Sequence, residues 1–415
     1  MKTAVFGSGY VGLVAGACLA RLGHRITLID VDRQKIETIN NGASPIYEEG
    51  LDELLGAISI EAGSDYGLAD GAEIFLICVG TPANPDGSMS LDQVAEASRR
   101  IAEVLAGCPD YAVVCVKSTV PPGTTENLVI PALERTGKKA GRDFGVCMSP
   151  EFLREGKAVY DFMHPDRIII GEYDTRSGDF FQELCRDFSA PVCRTSLRSA
   201  EMIKLASNSF LAAKISFINE IGNICKNLDV DVREVARGMG LDKRIGPDFL
   251  NAGLGFGGSC LPKDLKALCA SARDAAYEPS LLCAVHDQNE KQTRLFLSLL
   301  KKHVTLPGAT VGVLGLAFKP GTEDIRDSRA IAVVRALLQA GASVKAYDPL
   351  AAAGFRKLFP EVAYASKEEV MGADAVLIIT EWDEFRDLDY RGRVVIDGRG
   401  IERARQARVY EGICW

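Results

Sequence analysis

The chain has 415 residues, 47% of them hydrophobic, enough to bury sizeable cores and pointing by length to two or three domains. Its formal charge of −8 argues against binding a nucleic-acid backbone or an anionic membrane through bulk charge, so an anionic ligand must be held by local features. The 12 cysteines are scattered with no C-x-x-C pair, and the four histidines (His24, His164, His286, His303) are isolated, which argues against a disulfide scaffold and against any metal site.

The first residues, MKTAVF, run directly into a strand-like stretch, and no apolar run approaches the roughly 18 residues of a membrane span; a cytoplasmic protein is expected. Gly7-Ser8-Gly9-Tyr10-Val11-Gly12 then fits G-x-G-x-x-G and opens the helical stretch YVGLVAGACLARLG at Tyr10 and Val11. Gly7 permits the tight turn, Gly9 the approach of a pyrophosphate, Gly12 close helix-to-strand packing, and the helix N-terminus offers N–H groups to the anion. The next strand, RITLID, ends at Asp30, 18 residues past Gly12. A carboxylate there accepts ribose hydroxyls and repels a 2′-phosphate, so the expected cofactor is NAD, with Arg33 and Lys35 nearby. The competing reading is a glycine-rich turn with no ligand.

AEIFLICVG and YAVVCVKST continue the alternation of strands with helices that marks a parallel sheet, in which ligands bind at the carboxyl ends of the strands. Thr81 in VGTP, and Ser118 and Thr119 in KSTVPPGT, either line the cofactor cleft or cap the strand ends. SPEFLREG (149–156) follows the strand-like FGVCM and offers Glu151 and Glu155, which could position water or contact a nicotinamide.

From Ser199 to about Leu228 apolar residues recur every three or four positions without a proline, which predicts one helix of about 28 residues and about 42 Å. It reads as a spine between two halves and a candidate dimerisation surface. Lys204 and Asn208 are four apart on it and share a face, where an ammonium and an amide could stabilise the oxyanion of a hydride transfer; a surface lysine is the competing reading.

GFGGSCLPKD (255–264) sets Cys260 just before Pro262, which suits the first turn of a helix. The thiol would sit at the positive end of that helix beside Lys263, and both favour the thiolate. A dehydrogenase with such a thiolate could capture an aldehyde as a thiohemiacetal, oxidise it to a thioester and hydrolyse it, taking an alcohol to an acid in one site.

Near residue 309 the alternation returns in ATVGVLGLAFKPG, ASVKAYDP, ADAVLIITEWDEF and RVVIDGRG. The expected fold class is α/β, with two Rossmann-like doubly wound domains joined by a long central helix and a helical middle region. The expected boundaries are 1–198, 199–305 and 306–415. The last series lacks a second G-x-G-x-x-G, which argues against a second NAD.

Together FGSGYVGLV, CVGTP, KSTVPPGT, SPEFLREG, EMIKLASNSFLAAKISFINEI, GFGGSCLPKD and GLAFKPGTEDIRDS resemble the UDP-glucose/GDP-mannose dehydrogenase family, in the family's order and almost end to end. The resemblance implies an NAD-dependent four-electron oxidation of a sugar C6 alcohol to a carboxylate, with Cys260 as nucleophile, and a role in polysaccharide biosynthesis. It implies that Lys204 and Asn208 stabilise the reacting oxygen, that Asp264 assists proton transfer or water activation, and that Glu151 and Thr119 hold the hydrolytic water. Glu155, Lys263 and Arg326 match positions that contact NAD. Phe152, Leu153, the stretch Phe249, Leu250, Asn251 and Gly253, and then Gly257, Lys319 and Arg399 match contacts to the sugar or its nucleotide. Arg244 matches a position that reaches a neighbouring subunit's site, which implies a homodimer. LDKRIGPDFLNAG is most similar to members that take UDP-glucose to UDP-glucuronate, while the leucine of SCLPKD is also seen in members that use GDP-mannose. A two-electron hydroxyacid-type dehydrogenase, which would not need Cys260, and an NAD-binding redox sensor are the other readings.

Overall fold

The computed structural model describes residues 1–415, which divide into two compact units: Met1–Ser207 with Lys266–Ala275, and Asn208–Leu265 with Ala276–Trp415. The first unit holds an eight-stranded sheet of β1 (Lys2–Phe6), β2 (Arg25–Ile29), β3 (Glu61–Gly63), β4 (Ile74–Ile77), β5 (Val113–Val116), β6 (Gly145–Met148), β7 (Ile168–Glu172) and β8 (Val192–Ser196). Their order is β3-β2-β1-β4-β5-β6-β7-β8. Chain direction through the sheet turns outward on either side of β1 and β4, the switch point at which open α/β sheets take their ligands.

Strand β4 explains the two-sided core. Its residues Ile74, Phe75, Leu76 and Ile77 are all fully buried, as expected of a parallel strand covered on both faces. Phe75 and Ile77 join the cluster around Phe6, Val114 and Phe144, whereas Ile74 and Leu76 join the one around Leu13, Leu28 and Cys115. The period of two thus sends alternate side chains into separate helical layers. The sequence pattern predicted a parallel sheet; the pairing of β6 with β7 is antiparallel, Cys147 facing Glu172, and β8 then runs parallel to β7.

The predicted long helix is one element, Leu197–Asn227, of 31 residues and about 46 Å. Helices Val232–Gly240, Leu261–Asp274 and Ser280–Lys301 follow. The second unit carries a six-stranded, wholly parallel sheet of β9 (Thr310–Leu314), β10 (Ser343–Tyr347), β11 (Ala363–Tyr364), β12 (Ala375–Ile378), β13 (Val394–Asp397) and β14 (Val409–Gly412), in the order β11-β10-β9-β12-β13-β14. Both sheets therefore have the doubly wound order that the two alternating stretches predicted. No helix is long and apolar enough to cross a membrane.

Candidate active site

In the first unit β1 ends at Phe6 and the helix Tyr10–Arg21 begins after only three residues, because Gly7 takes a φ of 95° that turns the chain back on itself. A Cβ on Gly12 would lie 1.9 Å from the Gly7 carbonyl oxygen, so only glycine lets the helix sit this close to the strand. Around Gly9 nothing lies within 4 Å of the same construction, leaving its approach open. A cradle closed at Gly7 and Gly12 and open at Gly9, on a helix N-terminus, fits a dinucleotide pyrophosphate.

Asp30 stands at the end of β2. Its Oδ2 accepts from the Ser8 N–H (2.6 Å) and hydroxyl (2.7 Å), and its Oδ1 accepts from the Asp32 N–H (2.9 Å). Burial opposes its charge, but these hydrogen bonds and the nearby Lys35 ammonium outweigh it and hold the carboxyl below its usual range. Oδ1 keeps capacity for a ribose hydroxyl. The Thr81 hydroxyl donates to the Thr119 carbonyl (2.9 Å) and that of Ser118 to the Val79 carbonyl (2.7 Å), so both tie strand-end turns together.

The loop after β6 carries Glu151, Phe152, Leu153 and Glu155. Glu151 is buried, and its Oε1 receives the Lys204 ammonium at 2.9 Å while its Oε2 receives the Leu153 N–H at 2.6 Å. Burial works against the carboxylate; the adjacent Lys204 charge prevails and lowers its pKa. With side chains only 3% and 8% exposed, the pair cannot be surface decoration, which removes the surface reading of Lys204. The Lys204 ammonium also lies 5.3 Å from the centre of the Phe152 ring.

Three residues that the sequence reading passed over support this loop and its neighbour. Glu48 is buried and accepts from the N–H groups of Gly156 (2.7 Å) and Ala158 (2.6 Å), and the Tyr10 hydroxyl also accepts from Gly156 (2.8 Å). Lys117 donates to the Ser149 carbonyl (2.9 Å). Glu201, fully buried one turn before Lys204, accepts from the Thr125 N–H (2.8 Å) and hydroxyl (2.7 Å) and from the Gly123 N–H, fixing the PPGTT segment; burial raises its pKa despite these donors. The available signal was helical register: Glu201, Lys204 and Asn208 recur at spacings of three and four on one face.

In the second unit the buried Asn208 amide donates to Asp264 Oδ2 at 2.6 Å, and the Lys263 ammonium holds Asp264 Oδ1 at 2.8 Å. Cys260 immediately precedes the helix Leu261–Asp274, with Pro262 in its first turn, and its Sγ lies 3.4 Å from the Ser259 hydroxyl. The stretch before it is irregular. Phe249 has a φ of 62°, Gly255 of 104° and Gly258 of 87°. A Cβ on Gly253, Gly255, Gly257 or Gly258 would meet the protein's own atoms at 2.8, 2.5, 2.3 and 2.7 Å, so these glycines admit neighbouring chain as well as any ligand.

The remaining candidates in this unit lie on loops. Lys319 follows β9, its ammonium 5.6 Å from the Phe318 ring, and Arg326 pairs with Asp324. Arg399 follows β13 and donates to the Ile379 carbonyl at 2.5 Å. Arg244 is exposed and pairs with Asp242 at 2.6 Å. Leu250 is buried and Asn251 exposed.

Three family models match along the chain, all of the UDP-glucose/GDP-mannose dehydrogenase family: its NAD binding domain over residues 1–189, its central domain over 198–291 and its UDP binding domain over 312–404. The chain is 44% identical to the UDP-glucose 6-dehydrogenase AglM of Haloferax volcanii, over 100% of both chains. It is 43% identical to the UDP-glucose 6-dehydrogenase YwqF of Bacillus subtilis, over 93% of this chain and 89% of the relative. Among solved structures, a UDP-glucose dehydrogenase from the archaeon Pyrobaculum islandicum superposes with a TM-score of 0.97 at 42% identity, covering 100% of this chain and 98% of that one.

Proposed function

The chain belongs to the UDP-glucose/GDP-mannose dehydrogenase family and carries its NAD binding domain, and from that premise we propose that it oxidises UDP-glucose to UDP-glucuronate by a four-electron route through Cys260. The observation that carries this reading is a pair of buried polar partnerships one turn apart on the long helix: Lys204 with Glu151, and Asn208 with Asp264. Full-length likeness to UDP-glucose 6-dehydrogenases supports the choice of sugar.

NAD supplies the hydride acceptor for each of two oxidations. The chain's residues do the rest. Lys204 and Asn208 donate to the C6 oxygen and stabilise the negative charge it gathers as its proton leaves. The Cys260 thiolate adds to the C6 aldehyde, forming a C–S bond; after loss of the second hydride the carbon is a thioester. Water held by Glu151 and Thr119 then attacks, the C–S bond breaks, and Asp264 assists return of a proton to the leaving thiolate. Lys319, Arg399, Leu250, Asn251 and Gly253 hold the nucleotide sugar, with Phe152, Leu153 and Gly257; Lys35, Thr81, Glu155, Lys263 and Arg326 complete the cofactor contacts.

A homodimer belongs to the same reading. Phe210, Phe217 and Ile224 repeat every seven residues along the long helix and are 67%, 51% and 48% exposed, an apolar seam suited to a second copy. Arg244, exposed beyond that helix, would then serve the partner's site.

The test is NADH counted per nucleotide sugar, with UDP-glucose, GDP-mannose and UDP-N-acetyl sugars side by side. Two NADH per UDP-glucose is expected, and one would overturn the four-electron route. Cys260→Ser should stall at aldehyde capture or deacylation; full uronate production by that variant would remove the cysteine from the mechanism.

A further inference from the structure

The segment Gly253–Gly258, which leads to Cys260, forms no strand or helix, yet both backbone groups of Gly253 and of Phe256, and the N–H groups of Leu254 and Gly258, are paired. Gly253 donates its N–H to Asn219 Oδ1 (2.7 Å) and gives its carbonyl to Gln292 Nε2 (2.8 Å). Phe256 is bracketed by one side chain, its N–H donating to Asn289 Oδ1 (2.8 Å) and its carbonyl accepting from Asn289 Nδ2 (3.0 Å). Between and after these, the Leu254 N–H reaches the Gly398 carbonyl (3.1 Å) and the Gly258 N–H the Arg326 carbonyl (2.9 Å). Gln292 is itself fixed by the Asn223 amide (2.7 Å).

Asn219, Asn289 and Gln292 are at most 1% exposed, all within the second unit. Burying three primary amides is costly, the more so as the Asn219 Nδ2 donor has no partner, and apolar side chains would fill the space more cheaply. What the amides provide is direction: two residues of loop are held as a neighbouring strand would hold them, in a segment whose φ angles of 104° and 87° exclude a strand.

Resting on the function proposed above, we propose that Asn219, Asn289 and Gln292 are positioning residues for the oxidation. They clamp the loop that carries Gly253 and Gly257 and leads into Cys260, so that the substrate-facing backbone is fixed before the sugar arrives. They touch neither sugar nor cofactor.

Asn289→Asp tests this in the intact protein. Its carboxyl keeps one acceptor for the Phe256 N–H, but when ionised it turns a second oxygen on the Phe256 carbonyl; when protonated, its O–H restores the donor. Burial raises such a carboxyl's pKa by several units, so loss and recovery fall between roughly pH 6 and 9. Relative to wild type, KM for UDP-glucose should rise about tenfold or more at the alkaline end and recover at the acid end, with KM for NAD unchanged. Gln292→Met, close in volume and without polar atoms, should raise the same KM at every pH. Hydrogen–deuterium exchange of peptides spanning 250–260 should quicken in Gln292→Met throughout and in Asn289→Asp only at alkaline pH. A nucleotide-sugar KM equal to wild type in both variants across that range, with turnover present, would overturn the positioning role while leaving the enzyme's assignment intact. If the wild type turns over no nucleotide sugar, the function fails instead, and exchange decides the clamp: faster exchange upholds it and unchanged exchange removes it.

Discussion

At the start of the first sheet the Gly7 N–H donates to the Ile29 carbonyl (2.8 Å) and the Ser8 N–H to Asp30; at the start of the second the Gly315 N–H donates to the Tyr347 carbonyl (2.9 Å) and the Leu316 N–H to Asp348 (2.7 Å). Both glycines have matching φ, 95° and 93°. The framework is shared, and its use differs. After Gly7 a helix begins at Tyr10, whereas after Gly315 residues 316–328 intervene before the helix at Arg329. Asp30 is only partly buried and keeps acceptor capacity on Oδ1. Asp348 is 4% exposed, with both oxygens saturated by the N–H groups of Leu316, Ala317, Leu350 and Ala351 and by the Trp382 indole. One strand, turn and acid thus leave acceptor capacity open in the first sheet and are used up by the fold itself in the second, and the length of chain before the helix separates the two.

Three substitutions can break that comparison. The largest effect is expected from Asp348→Ala, which leaves several buried donors without an acceptor and should destabilise the second unit by at least about 3 kcal/mol. A thermal melt unchanged from wild type would show that Asp348 is not structural. Next comes Gly9→Val. Because no protein atom lies within 4 Å of a Cβ there, the fold should melt as wild type while NAD affinity, measured by calorimetry, falls about tenfold or more. Equal NAD affinity would remove the pyrophosphate from Gly9. The smallest is the acid limb of stability. The Asp30 carboxyl is held below its unfolded value near 3.9, so its contribution is present above that pH and lost as pH falls through the folded value. Asp30→Asn should flatten this limb slightly below pH 4 in denaturant titrations and weaken NAD at pH 7. A steeper limb would reverse the sign assigned to Asp30.

The glycine fingerprint, Asp30, the long helix and both strand series were legible in the chain because each is a local pattern with a fixed period or spacing. The buried partners Glu48, Glu201, Asn219, Asn289 and Gln292 were not. Each acts on backbone N–H or C=O groups 33 to 110 residues away, and backbone leaves no mark in side-chain identity. Two of them had one faint signal, helical register: Glu201 stands three residues before Lys204, and Asn219, eleven after Asn208 on the same helix, returns to nearly the same face. The antiparallel turn at β7 was equally silent, since an apolar run such as Ile168–Ile170 carries no signal of strand direction. Lys204 was recognisable only through family motifs, because a lysine on an amphipathic helix is ordinarily exposed and its partner lies 53 residues earlier.

The cysteines shielded by the fold have a practical consequence for anyone wishing to label this protein. Burial raises the pKa of Cys18, Cys78 and Cys414 to about 12 and that of Cys185 to about 11, and pushes Cys115 and Cys147 higher still. Cys108, Cys225 and Cys269 are buried as well. A maleimide dye applied to the folded protein at neutral pH is thereby directed to Cys193, Cys260 and Cys283. With Cys193 and Cys283 replaced by serine, a single fluorophore would report on the segment that the three amides hold.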